Sequence, residues 1–373
     1  MKLSIDARGI NLYKGSGIGT YTENLLRELL NIDQKNTYSI FWAGENYGEF
    51  KRDNSKIIFT SKKHGTFYED YYYPSYIEEN SIDLHHIPQN GIGLNTSYTS
   101  PVIVTIHDLI PYILPETVGR GYLERFLRDM PLIINNSKAI LTVSEYSKKD
   151  ILKFFPSVNE DKIFVTPLAA EDIYRPINRA YCKNIIKDKY RISDDFILYV
   201  GGYSPRKNII GIMEAFSLLK DNLKRDLKIV ITGKKGFSYE RYKNRAIELG
   251  ISKSVIFTDF IPLEDLPLFY NACEFLIYPS FYEGFGLPPL EAMACGTPVI
   301  ASNVTSVLEV CKNSAILVNP NDVNELSYSM ERVLTDSFLK LTMIERGLLT
   351  SNKYSWKNTA LNTIEAYRNI IEF

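Results

Sequence analysis

The feature that most limits the fold of this chain is an alternation of strand and helix that runs its course and then begins again. Short β-branched or aromatic runs at 3–5, 38–42, 56–59, 102–106, 139–143 and 163–166 read as strands. Amphipathic stretches separate them. Residues 20–30, for example, set Tyr21, Leu25, Leu26 and Leu29 on one helical face. Past Tyr174-Arg175-Pro176 the pattern restarts, with strands at 196–200, 228–232, 254–257, 275–278, 298–301 and 316–318, and a helical face of Ile209, Ile212, Phe216 and Leu219. Two such series predict two α/β domains, each built on a parallel sheet. The expected domains are 1–174 and 175–355, joined near 172–182. A last helix spans 356–373. Parallel sheets bind ligands beyond the carboxyl ends of their strands, so the residues that follow strands carry the functional reading.

Bulk properties mainly exclude. A formal net charge of −1 over 373 residues offers no basic face for nucleic acid. No apolar run nears the roughly 20 residues that span a bilayer, and the N-terminus enters a strand with no leader-like segment. The expectation is a cytoplasmic protein, with peripheral contact at the inner face of a membrane left open, as is its oligomeric state. Cys182, Cys273, Cys295 and Cys311 form no Cys-x-x-Cys pair and read as reduced, buried thiols. Neither an Asp-x-Asp motif nor a His/Cys/Asp cluster with metal spacing occurs, so no metal and no cofactor is expected.

Four segments carry chemistry. After the strand at 275–278 comes Pro279-Ser280-Phe281-Tyr282-Glu283-Gly284-Phe285-Gly286-Leu287-Pro288-Pro289-Leu290-Glu291. The glycines permit a tight loop with ligand-facing amides. The prolines suit a first helical turn, and the helix start is an anion site. Glu283 in the loop and Glu291 two turns into the helix are placed to grip hydroxyls at two ends of one ligand. A Gly-Pro turn before a core helix with an exposed Glu is the bland alternative. After the strand at 196–200, Gly201-Gly202-Tyr203-Ser204-Pro205-Arg206-Lys207-Asn208 sets two cations at a helix start, where they oppose the macrodipole unless an anion binds. A diphosphate fits them, and so does a solvated basic turn. Gly15, Gly17 and Gly19 follow the first strand in a loop that either presents amides or merely flexes. His107-Asp108 follows the strand at 102–106, with His107 either orienting a sugar hydroxyl or serving as a structural histidine. His85 and His86, after a short strand-like stretch, are open in the same way. Ser144, at a strand end, reads as a helix N-cap.

The block from Pro279 to Gly296, with two Glu separated by seven residues, resembles the retaining GT-B glycosyltransferases of family 4. Arg206-Lys207-Asn208 is similar to that family's diphosphate element, Gly17-Ile18-Gly19 to its N-terminal glycine loop, and His107-Asp108 to its acceptor-side histidine. The resemblance runs from Asp6 to about Pro320. It departs from the commonest pattern at Tyr203, where many members have Arg, and at Pro167-Leu168-Ala169-Ala170, where a Gly is usual. It implies a GT-B fold of two Rossmann-like domains facing a central cleft, the N-terminal one for the acceptor and the C-terminal one for the donor, with the last helix crossing back.

The resemblance also implies roles. Glu283 contacts the transferred sugar, while Gly284, Phe285, Gly286 and Leu287 offer amides. Glu291 holds the ribose, Arg206 and Lys207 neutralise the leaving diphosphate without a metal, and Gly17 and Gly19 line the donor. His107, Asp108 and Ser144 stand on the acceptor side. Together with Asp6-Ala7-Arg8 and Thr105-Ile106-His107-Asp108, these segments look most like bacterial mannosyl- and rhamnosyltransferases of surface-polysaccharide assembly. The expected substrates are then GDP-mannose, or a deoxysugar nucleotide, and a glycan or lipid-linked acceptor. Two other classes remain as alternatives: a sugar-nucleotide epimerase, and a non-catalytic nucleotide-sugar or glycan binder.

Overall fold

The structure, a computed structural model, describes residues 1–222, 226–234 and 239–371. The chain divides into two compact units, Met1–Leu168 with Ser355–Phe373, and Ala169–Tyr354. The first junction lies a few residues before the expected 174/175 break. Tyr174 explains the difference: it is 4% exposed and packs edge-on against Tyr270 of the second unit, ring centroids 5.7 Å apart. The expected linker is also partly helical, since a helix spans Arg179–Tyr190.

The first unit holds seven parallel strands: β1 (Lys2–Asp6), β2 (Thr37–Trp42), β3 (Ser55–Phe59), β4 (Leu84–Ile87), β5 (Val102–Ile106), β6 (Ala139–Thr142) and β7 (Ile163–Val165). Their order is β3-β2-β1-β4-β5-β6-β7. Every residue of β5 is buried, as a strand covered by helices on both faces requires. The Gly17–Ile32 helix buries Tyr21, Leu25, Leu26 and Leu29, the face read from the sequence.

His85 and His86 do not follow a strand; they form the middle of β4. Both are fully buried, and three of their four ring nitrogens have hydrogen-bond partners, His85 Nε2 being the exception. Ser4 Oγ meets His85 Nδ1 at 2.8 Å. His86 Nδ1 meets the Tyr367 hydroxyl at 2.7 Å and His86 Nε2 meets Thr105 Oγ1 at 2.8 Å. Tyr367 belongs to the last helix, Trp356–Ile371, which packs in this unit; Glu372 and Phe373, included in the expected helix, lie outside the described residues. The aromatic segment at 65–79 is helical and two-sided. Tyr73 is buried and stacks on Phe41, while Phe67 and Tyr71 face out.

Burial lowers the pKa of His85 to about 4, of His86 to about 3 and of His107 to about 4. The unfolded chain therefore takes up these protons first. Their neutral burial supports the unit fully above pH 6.5. That support is lost as pH falls through 6.5 toward 4, by at most about 1.4 kcal/mol for each histidine and each step of one in pH. Hydrogen exchange at pH 7 and pH 5 is expected to show β4 and β5 opening more easily at pH 5. Equal protection at both pH values would contradict this.

The second unit repeats the plan with β8 (Asp195–Val200), β9 (Leu227–Thr232), β10 (Val255–Phe257), β11 (Leu276–Tyr278), β12 (Val299–Ser302) and β13 (Ile316–Val318), ordered β10-β9-β8-β11-β12-β13 and parallel throughout. Ile197, Ile212, Phe216, Ile229, Tyr242 and Ile300 lie in its core. In each sheet the strand order reverses direction once, between β1 and β4 and between β8 and β11. Open parallel sheets leave a ligand crevice at such a point.

Candidate functional site

In the second unit, the segments that leave β8 and β11 on either side of the reversal carry the two strongest motifs. The chain leaves β8 through Gly201 and Gly202 and makes a 3₁₀ turn at Pro205–Lys207. Asn208 is left-handed at φ 56°, and the Ile209–Asn222 helix begins only after it. The cations are therefore not in the first turn of the α-helix, as expected, but one turn before it. Their anion is internal. Lys207 Nζ lies 2.5 Å from Glu283 Oε1, and Arg206 Nη1 lies 2.7 Å from Glu283 Oε2. Lys207 Nζ also donates to the Tyr278 hydroxyl at 2.7 Å, and Arg206 Nη1 to the Tyr282 carbonyl at 2.8 Å. The Arg206 carbonyl accepts from the Phe281 amide, so the two segments are stitched by backbone as well as by charge.

Glu283 is 7% exposed. Burial pushes its pKa up, but the charges of Arg206 and Lys207 and the hydrogen bonds from both outweigh this and hold it at about 2. It is ionised at neutral pH. Thr305 Oγ1 accepts from its amide at 3.3 Å, and Ser306 Oγ donates to its carbonyl at 2.7 Å. Gly286, at φ 114°, turns the chain into the Leu287–Ala294 helix, with prolines in its first turn. Among the described residues, the amides of Phe285, Gly286 and Leu287 have no partner, so three donors are left at a helix start. The Phe285 ring itself is buried edge-on against Tyr354. Gly284 is buried in the same loop.

Glu291 stands one turn, not two, into that helix. Tyr270 donates to its Oε2 at 2.7 Å. Burial raises the Glu291 pKa to about 7; the Tyr270 hydrogen bond lowers it again only in part, and the charge of Glu171 adds to the rise. One end of the site thus holds a carboxylate fixed in its charged form, and the other holds a carboxyl poised near neutrality. Such a division of carboxyl states is common in sites that recognise or transform a ligand.

In the first unit, His107 follows β5 and is 7% exposed. Its Nε2 lies 2.9 Å from the Pro88 carbonyl, which can only accept, so Nε2 carries the proton and Nδ1 is an acceptor. The Tyr21 ring packs edge-on against it, centroids 4.8 Å apart. Asp108 is half-buried and accepts from the Ile110 amide. Ser144 is fully buried and caps the Glu145–Phe154 helix as read from the sequence, accepting from the Ser147 amide at 3.0 Å. Gly17 begins the Gly17–Ile32 helix, and the Gly19 amide is taken by Ser16 Oγ at 3.4 Å. A Cβ on Gly19 would overlap the Tyr13 carbonyl oxygen, so packing alone demands this glycine.

Sequence reading missed Tyr278, Tyr270, Thr305 and Ser306, whose roles depend on contacts between distant segments. It also missed a polar knot at the β1/β4 reversal. Asp6 and Arg8 pair there at 2.6 Å, Gln89 Nε2 donates to Asp6 at 2.6 Å and Arg8 meets Glu69 at 3.0 Å.

The family described as Glycosyl transferases group 1 matches residues 183–349. The chain is similar to the O-antigen chain mannosyltransferase B of Escherichia coli, 35% identical over 271 residues that cover 71% of this chain and 70% of that protein. It is also similar to the serotype-specific mannosyltransferase WbdA of Escherichia coli, 32% identical over 273 residues, 72% of this chain but only 34% of the longer relative. Among solved structures, sucrose-phosphate synthase from Thermosynechococcus elongatus superposes with a TM-score of 0.78 at 18% identity, covering 100% of this chain and 99% of the other. Anabaena HepE, solved in complex with UDP and glucose, does so with a TM-score of 0.75 at 14% identity, covering 98% and 99%.

Proposed function

The chain belongs to the glycosyl transferases group 1 family, with the GT-B fold, and from that premise we propose that it moves mannose from GDP-mannose to a growing surface polysaccharide. The convergence of Arg206 and Lys207 on Glu283 carries this reading. Two cations and three unpartnered amides at a helix start suit a diphosphate leaving group, and they supply the positive charge that a metal supplies in other transferases. The nucleotide relatives of the fold support a nucleotide donor: HepE was solved with UDP. The choice of mannose rests on relatives named as O-antigen mannosyltransferases. Transfer proceeds with retention of configuration: the departing phosphate takes the acceptor's proton, and no side chain acts as nucleophile. Glu283 holds sugar hydroxyls and Glu291 the ribose diol. His107 Nδ1 accepts from a hydroxyl of the transferred sugar or of the acceptor. The acceptor is a glycan or lipid-linked glycan at the cytoplasmic face of a membrane. Among the described residues no helix is long and apolar enough to cross one.

The test is nucleotide release from GDP-mannose, UDP-glucose and dTDP-rhamnose in the presence of a mannan oligosaccharide. GDP release from GDP-mannose alone, abolished by Glu283→Ala, is expected; release confined to the other two donors overturns the sugar assignment.

Glu291 adds a pH signature. A carboxylate accepts two strong diol hydrogen bonds, and a proton on it competes with them. Since its pKa is about 7, GDP affinity is expected to weaken below pH 7, by up to about tenfold for each step of one in pH. The nucleotide's own phosphate titrates near pH 6, so the informative quantity is the calorimetric difference between wild type and Glu291→Gln. A difference that stays constant from about pH 5.5 to about pH 8.5 would remove Glu291 from the ribose.

A further inference from the structure

Thr305 is β-branched, yet its backbone is left-handed, at φ 56°. Glycine and asparagine tolerate that region; a β-branched residue there is strained, and such strain persists only where surrounding structure holds it. What holds Thr305 is the loop that carries Glu283. Its Oγ1 accepts the Glu283 amide, and the next residue, Ser306, fully buried, donates to the Glu283 carbonyl. The two peptide groups that flank the Glu283 Cα are thus each held by one of two consecutive hydroxyls. The strained conformation places the first of them at the amide and the second at the carbonyl. The following residue, Val307, packs its Cγ2 3.7 Å from where a Cβ on Gly286 would stand, so the rest of the loop also rests on this helix start.

The carboxylate end needs such a grip. Arg206 and Lys207 both pull on it, and the loop contains Gly284 and Gly286. With only the cations acting, the carboxylate would settle wherever they stand best. With its backbone pinned, its position is fixed independently of them. We propose that Thr305 and Ser306 are positioning residues that set where the Glu283 carboxylate stands for the donor's sugar. The proposal rests on the reading of Glu283 given above.

Four variants separate hydroxyl from strain. Thr305→Ala keeps the strain and loses the hydroxyl, Thr305→Gly loses both, Thr305→Ser keeps the hydroxyl, and Ser306→Ala removes the second grip. Thr305→Ala and Ser306→Ala are expected to lower kcat with GDP-mannose by about 10- to 100-fold, the scale of an ångström of misplacement. GDP affinity by calorimetry should stay within about twofold, since neither hydroxyl touches Arg206, Lys207 or Glu291 and the helix start keeps its amides. Thr305→Gly should melt higher than Thr305→Ala and be no more active, and Thr305→Ser should keep most of the turnover. Activity that follows thermal stability instead, with Thr305→Gly near wild type, overturns the proposal. Crystal structures decide it without turnover. In Thr305→Ala the Glu283 carboxylate should stay with Arg206 and Lys207 but shift from its wild-type position, and an unmoved carboxylate overturns the proposal. If the carboxylate moves as expected but Glu283→Ala remains fully active, the fault lies in the functional reading, not in the clamp.

Discussion

Replacing Lys207 by alanine is expected to cut transfer by about 10²- to 10³-fold while the second unit stays folded. Lys207 is 8% exposed, and its ammonium meets both Glu283 Oε1 and the Tyr278 hydroxyl. It therefore has two duties: charge for the departing diphosphate, and a fixed partner for the sugar-side carboxylate. Its loss removes the first outright. It weakens the second, because Glu283 keeps only Arg206 and its pKa climbs from about 2 back toward the ordinary carboxylate range. Lys207→Arg is expected to rescue poorly. A guanidinium is longer and planar, and it does not fit a pocket where one nitrogen serves an oxygen at 2.5 Å and another at 2.7 Å. Stability separates the two duties. Breaking one side of a buried ion pair destabilises because the other charge is left behind, whereas neutralising both sides costs much less. The double variant Lys207→Met with Glu283→Gln should therefore melt closer to wild type than Lys207→Ala does, yet remain inactive. A double variant that regains transfer, or a Lys207→Ala protein with undiminished kcat/KM, would show that the cation serves the fold alone.

This part of the site was legible in sequence because strand ends dictate where loops fall. The runs at 196–200 and 275–278 placed Arg206-Lys207 and Glu283 at the carboxyl edge of one sheet, and the structure puts them there. The sequence could not reveal that the cations already own an anion. That fact depends on β8 and β11 being neighbours although two other strands intervene in the chain. Thr305 is illegible for another reason: its role depends on a φ value that its residue type argues against. β4 escaped detection because Leu84-His85-His86-Ile87 lacks an apolar run. Ser4, Thr105 and Tyr367, from far along the chain, supply hydrogen bonds to three of the four ring nitrogens of its buried histidines. Gly19 shows the converse case. A glycine in a loop-like motif suggested amides for a ligand, and the backbone of Tyr13 turned out to be what requires it. Ser144, read from sequence as a helix N-cap, is that cap.

Ending the chain after Tyr354 is expected to unfold the first unit while the second keeps its own cooperative transition. The Trp356–Ile371 helix buries Trp356, Ala360, Ile364, Ala366 and Tyr367 in a unit whose strands all come from the first 168 residues. Trp356, Ile364 and Tyr367 alone contribute about 2 kcal/mol each by burial, and the Tyr367–His86 hydrogen bond adds about 1 kcal/mol. Removal also uncovers the apolar side of the Gly17–Ile32 helix and leaves His86, in the middle of the sheet, without one of its two partners. The sum approaches the whole net stability of an ordinary domain, about 5–15 kcal/mol. Tyr367→Phe removes only the hydroxyl, so it should cost little more than about 1–3 kcal/mol, the penalty of one buried group left unsatisfied. Hydrogen exchange resolved by segment is the measurement. In the truncated chain the amides of β1, β4 and β5 should lose protection, those of β8 and β9 should retain it, and GDP should still bind. A synthetic peptide of residues 355–373 added in trans should restore part of the lost protection. Protection of β4 that survives the truncation would mean that the first unit folds without the helix, and that the long return of the chain serves something other than its core.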